Sequence, residues 1–285
     1  MNGKRVLPPV LALSLLCGCA AGAVEPTPAG PTALPAPAET ENPWNLTPCR
    51  IVDGADIGEL LLASEESGEI YTLRVQDLVV TMDGGSSGAS ELRDGMKVWV
   101  GHTGGVAETW PAQFMDPQTV AGDSAAVDDR CGLYLQVLED LWNEDPGLNG
   151  DALSYLGVDL SGLTDLTDGE KNAVAWRFAQ LHGLELVTGT YDELVEEGYI
   201  TGRPLEGTDR LFYEWTDGVL FSITTDSDAA WSLPALAEGE EPPCLTAFDA
   251  QKWRSGLGAY YFLDCTAQMD DDGSWTYSVG AQAIS

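Results

Sequence analysis

Residues 49–120 leave no room for a long helix. Their apolar residues come in short β-rich runs, GELLLAS, EIYTLRV and LVVTM, cut apart by Gly, Ser, Asp and Glu. Runs of that length between turn formers read as strands. The stretch ELRDGMKVWVGHTGGVAETWPAQF continues the pattern, with a strand at 97–102, a Thr103-Gly104-Gly105 turn and a return strand at 106–110. Val98 and Val100 share one face of this expected hairpin and Trp99 takes the other, because side chains alternate across a strand. Pro111 ends the run, since it has no N–H to give to a ladder.

From residue 121 the periodicity changes. In DDRCGLYLQVLEDLWNED, Cys131, Tyr134, Leu135, Leu138, Leu141 and Trp142 fall on one helical face. Thr167 and Glu170 have capping-box spacing ahead of KNAVAWRFAQLHG, where Val174, Phe178 and Leu181 make the expected buried stripe. Thr190 and Glu193 open a shorter helix that Gly198 can end. Strands follow. LFYEWTDGVLFSITT reads as a hairpin turning at Asp217-Gly218, and AYYFLDCTAQMDDDGSWTYSVGAQAIS as another turning at 270–273. Helices followed by hairpins predict an α+β module with an antiparallel sheet over 121–285, joined to the β module over 49–120.

The first 48 residues belong to neither module. Lys4 and Arg5 precede an apolar run from Val6 to Leu16, the pattern of an export signal and too short to span a membrane. Leu16-Cys17-Gly18-Cys19 resembles the lipobox of bacterial lipoproteins. That resemblance implies removal of residues 1–18, a diacylglycerol on the Cys19 sulfur, and a protein held at the extracytoplasmic face of the cell membrane. Residues 19–48, rich in Pro, Ala and Thr, read as an extended tether.

The spacing Leu92-x-x-Gly95-x-x-Val98 ahead of a strand, continued by VAETWPAQF, resembles the OB-like domain of unknown function of secreted and lipid-anchored bacterial proteins. It implies a small OB-like β-barrel over 49–120 and no particular activity. OB barrels often hold oligonucleotides or sugars. A basic groove for nucleic acid is missing, because the module carries only Arg50, Arg74, Arg93 and Lys97. The whole chain has a formal net charge of −33. Binding nucleic acid rests on clustered Lys and Arg, so nucleic acid is not an expected partner.

Beyond the anchor stand Cys49, Cys131, Cys244 and Cys265. An even number of spaced cysteines in an exported chain predicts two disulfides, read here as Cys244 with Cys265 and Cys49 with Cys131. No CxxC pair, His-x-x-x-His pair, nucleophile elbow or phosphate loop occurs, so no cofactor or metal is expected. DDDG at 270–273 fails as a calcium loop, since Gln268 stands at its first place and Val279 at its twelfth. His102 reads as an exposed turn residue, and His182 as a helix-end residue facing the dipole.

Trp99, Trp142, Trp176 and Trp215 fall in periodic elements and are expected in or beside the core. Trp231 in AAWSLP and Trp253 in QKWRSG lie in less regular stretches, and read either as caps on the sheet core, with Lys252 and Arg254 paired to nearby acids, or as a ligand surface for a protein or carbohydrate. The sequence thus describes a lipid-anchored envelope protein that acts as a non-catalytic binding or accessory module. The alternative is a hydrolase of envelope or other polysaccharide that uses an Asp/Glu pair.

Overall fold

Strand-forming runs dominate the described residues of this computed structural model, 44–150, 153–225 and 244–285, and assemble into two nine-stranded sheets accompanied by three α-helices. The first sheet holds β1 (Asn45–Asp53), β2 (Glu59–Ser64), β3 (Ile70–Arg74), β4 (Val79–Met82), β5 (Gly85–Ser86), β6 (Met96–His102), β7 (Val106–Ala107), β8 (Ala112–Phe114) and β9 (Pro117–Val127). Their order is β5-β4-β9-β6-β1-β2-β3-β8-β7, an open path with no closed barrel among the described residues. The β3–β8 and β4–β9 pairs are parallel and the others antiparallel.

Alternation splits the first sheet between two cores. Cys49, Ile51, Leu60, Leu62, Tyr71, Val98 and Val100 point to one side and pack together. Val52, Leu61, Ala63 and Ile70 point to the other and join the core of the helices. Strands buried on both faces lose the simple alternation of polar and apolar residues. The hairpin expected at 97–110 does not form, because β1 and β9 occupy both edges of β6 and β7 pairs with β8 instead. The boundary expected at residue 121 falls inside β9. Its polar end keeps pairing with β6 through Lys97 opposite Asp123, and Gly122 lets the Met82 and Met96 sulfurs close in where a Cβ would meet both at 2.9 Å.

The second sheet contains β10 (Tyr155–Asp159), β11 (Glu185–Thr188), β12 (Thr201–Pro204), β13 (Leu211–Glu214), β14 (Gly218–Thr225), β15 (Leu245–Ser255), β16 (Gly258–Met269), β17 (Trp275–Ser278) and β18 (Ala281–Ile284). It is mixed, where an antiparallel sheet was expected: β10 lies parallel to both β11 and β14. The helix between β10 and β11 is a crossover connection, which parallel neighbours require. β13 and β14 are not hairpin partners, because β14 lies between β10 and β15 while β13 pairs with β12. The hairpin of β16 and β17 forms as expected, with Gly273 at a positive φ of 85°.

The helices are α1 (Arg130–Asn143), α2 (Asp168–His182) and α3 (Tyr191–Glu196). Both expected capping boxes, Thr167 with Glu170 and Thr190 with Glu193, have both of their hydrogen bonds. Along α1, Cys131, Tyr134, Leu138 and Leu141 are buried as the periodicity predicts. Along α2, Val174 and Phe178 are buried, but Leu181 is 46% exposed and small residues, Ala173, Ala175 and Ala179, complete the stripe.

Asp129 caps α1 by accepting from Gly132 N at 3.1 Å. Burial, reinforced by the neighbouring carboxylates of Asp94, Asp128 and Asp53, raises its pKa to about 7, despite that hydrogen bond. The folded chain therefore holds this proton more tightly than the unfolded chain does. The stability it brings is full below the ordinary carboxylate range and is lost as pH rises toward 7. Asparagine keeps the cap and drops the charge. Asp129→Asn is expected to be more stable than the parent at pH 8, on the order of 1–3 kcal/mol, and to match it near pH 4. Thermal melts of both proteins across this range check it.

Candidate functional site

Helix α2 lies over part of the outer face of β2 and β3. Gly169 allows the close approach, since a Cβ there would meet Ser64 O at 2.7 Å and Ser67 O at 2.9 Å. Asn172 Nδ2 donates to Gly68 O at 2.7 Å, and Arg177 Nε pairs with Asp53 at 2.6 Å. The Ala63 and Ile70 end of the strands is thus covered, while Glu59, Thr72 and Arg74 stay open. What remains is a groove with α2 as its second wall.

Three neighbouring cavities lie along the groove, each sharing a lining tryptophan with the next. The first, about 630 Å³, is bounded by Leu61, Thr72, Arg74, Gln113, Trp176 and Arg177. The second, about 410 Å³, is bounded by Trp110, Trp176, Gln180, Leu186 and Thr188. Glu69, Val106, Glu108 and Trp110 bound the third, about 530 Å³. Trp176 lines the first two cavities and Trp110 the last two. Trp110 is 56% exposed and Trp176 is half-buried. Neither indole N–H has a hydrogen-bond partner among the described residues.

Some charged groups of the groove are paired, while Glu108 and Glu185 are exposed and have no side-chain partner among the described residues. Asp53 is held by Arg177, and Glu59 pairs with Arg74 at 3.0 Å. Glu69 accepts from the Tyr71 hydroxyl at 2.6 Å. A smaller cavity of about 370 Å³ lies at the ends of β10 and β11, and two of its three acids serve turns or caps. Asp159 accepts from Ser161, and Glu193 closes the cap of α3.

Of the two readings of Trp253, the structure supports the cap on the sheet core and not the ligand surface. Trp253 is 7% exposed and packs edge-on against Tyr191, 5.0 Å between centroids. Its neighbours do not pair with acids. Lys252 is fully buried and donates to the carbonyls of Trp142, Glu144 and Asp145 at 3.0, 2.8 and 3.3 Å, closing the C-terminus of α1. Burial lowers its pKa to about 8. Arg254 donates to Leu148 O and Thr216 O. Trp231 and Cys19 lie outside the described residues.

His102 is buried rather than exposed. It bonds to Thr47 Oγ1 at 3.1 Å and to Gly104 O at 2.9 Å, bracing the start of β1. His182 ends α2 before Gly183, stacks on Trp142 at 3.8 Å and meets Glu139 at 2.9 Å. Trp110 and Trp176 were not expected as site residues, although a signal existed for Trp110. Trp176 packs beside the core of the helices, as expected, and its remaining face lines the cavities. Trp110 sits against Pro111, where a strand cannot continue.

The two expected disulfides are absent, and all four cysteines are free thiols. Cys49 faces the core inside the first sheet and Cys131 the core of the helices, on opposite sides of β1. Cys244 sits opposite Met269, whose N–H donates to its carbonyl, whereas Cys265 sits opposite Phe248. About 13 Å of strand separates the two places, beyond the reach of a disulfide. No protein-family model, curated protein or solved structure matches this chain.

Reactivity follows from these placements. Cys244 is exposed, while burial pushes up the thiols of Cys49 and Cys131, and that of Cys265 to about 12. Brief iodoacetamide treatment of native protein is expected to label Cys244, with the other three reached only in denaturant. Peptide mapping checks this; a peptide linking Cys244 to Cys265 contradicts it.

Proposed function

We propose that the protein is a lipid-anchored, extracytoplasmic binding module that holds its ligand in the Trp110–Trp176 groove and performs no chemistry on it. The observation that carries this reading is the groove itself: an open cleft lined by the Trp110 and Trp176 indoles, flat apolar surfaces of the kind that hold a ligand by contact.

The strand order supports an OB-like reading of the first sheet. β1 is flanked by β2 and β6, β2 leads to β3, and β3 pairs in parallel with β8. Only Met115 and Asp116 separate β8 from β9, which returns to β6. With β8 and β9 taken as one broken strand, the order is that of a five-stranded OB barrel open at a single point. The face of strands two and three is where such barrels hold ligands, and the open half of that face is the floor of the groove. The lipobox residues Leu16 to Cys19 support the anchored location.

Two measurements test the reading. Cys19→Ser removes the thiol that accepts the lipid, so the protein is expected to leave the membrane fraction; partition equal to the parent's sinks the anchor. For the groove, the full chain carrying Cys19→Ser, which has no lipid to hold it, is sedimented with washed cell envelopes. Thr72→Trp, which puts a ring into the cleft, is expected to weaken sedimentation by about tenfold. Unchanged sedimentation, or reducing sugar released by the parent, contradicts a non-catalytic groove binder.

A further inference from the structure

We infer that the groove takes an extended, uncharged glycan, with Trp110 and Trp176 as the stacking residues; this rests on the binding reading above and names its ligand class. The shape argues for a chain. Three cavities of about 630, 410 and 530 Å³ follow one another through the shared tryptophans, so a compact ligand would fill only one of them.

The lining argues for sugar. A pyranose ring has an apolar face of C–H groups and a rim of hydroxyls, which suits a flat indole with a free N–H at its edge. Gln113 and Gln180 are exposed on the walls, with no hydrogen-bond partner for either amide among the described residues. Each presents donors and an acceptor, and a hydroxyl answers both.

Charge argues against an anionic chain. Arg74 and Arg177 are the cations of the lining and both are paired. Glu69 and Glu108 stand near Trp110, on a chain whose net charge is −33. Nucleic acids, uronates and polyphosphates would meet repulsion with no counter-charge to release. A proline-rich peptide also fits aromatic grooves. It offers carbonyl acceptors and few N–H donors, so it would leave the amide oxygens of Gln113 and Gln180 unanswered. Hydroxyls do not.

The test titrates the full chain, kept in detergent micelles, with cellohexaose, xylohexaose, laminarihexaose, mannohexaose and chitohexaose, following indole fluorescence and heat. Polygalacturonate and decaproline serve as comparison ligands. At least one neutral hexasaccharide is expected to bind, with Kd weakened about tenfold or more by Trp110→Ala and by Trp176→Ala separately. Trp176→Phe should lose less, Trp99→Ala nothing, and near-UV circular dichroism should show each variant folded. The inference is overturned if no neutral hexasaccharide binds at millimolar concentration, or if both alanine variants bind as the parent does. Decaproline or polygalacturonate binding in place of the glycans, and lost in the same variants, would overturn the glycan while leaving a binding groove. Envelope sedimentation indifferent to Thr72→Trp would instead remove the groove itself.

Discussion

The arrangement of the described residues turns on one guanidinium. Arg50, on β1, gives Nε to Glu170 at 2.9 Å, Nη2 to Glu65 at 3.3 Å and Nη1 to Gly95 O at 2.8 Å. Glu65 also meets Lys97 at 3.3 Å, and Glu170 accepts from Thr167 N at 2.8 Å through its other oxygen. One carboxylate therefore completes the cap of α2 and ties that helix to the first sheet. The Arg50 and Glu170 side chains are 18% and 11% exposed, so losing Glu170 costs more than losing an exposed pair, although Arg50 keeps Glu65 and Gly95 O.

This tie decides what the groove looks like. The first turn of α2 is tied to β1 and its second to the β2–β3 turn through Asn172, while Thr72 is half-buried and Arg74 exposed. Arg177 reaching Asp53 sets the near end of the cleft, and Trp176 stands above it. The same docking puts Leu61, Ala63 and Ile70 into the core with Val174 and Phe178. A β-sheet face that would suit a ligand along its whole length is thus shared between core and groove.

Features set by neighbours in sequence were the legible ones. The capping boxes, the buried positions of α1, the β16–β17 hairpin and the alternation of Val98, Trp99 and Val100 all follow from residues a few places apart. What the sequence hid depends on partners far along the chain. YLGVD, five residues between helical stretches, becomes the centre of a parallel ribbon only because β11 and β14 arrive on both sides. GDSAAV resembles a linker in composition, yet it pairs with β6 to the end. Lys252 and Trp253, charged and aromatic in an irregular-looking stretch, sit in a strand whose buried face supplies carbonyls for the ammonium. The groove tryptophans stand out only once the sheet is seen to lie beside α2.

The central claim is that the Arg50–Glu170 tie makes the first sheet and α2 open and close as one piece. Amide hydrogen exchange in the parent and in Glu170→Gln tests it most directly, because glutamine still closes the capping box while the ion pair is lost. The account predicts that amides of β2, β3 and α2 exchange faster together in the variant, each by about tenfold or more. Faster exchange confined to α2, with β2 and β3 protected as in the parent, would contradict it.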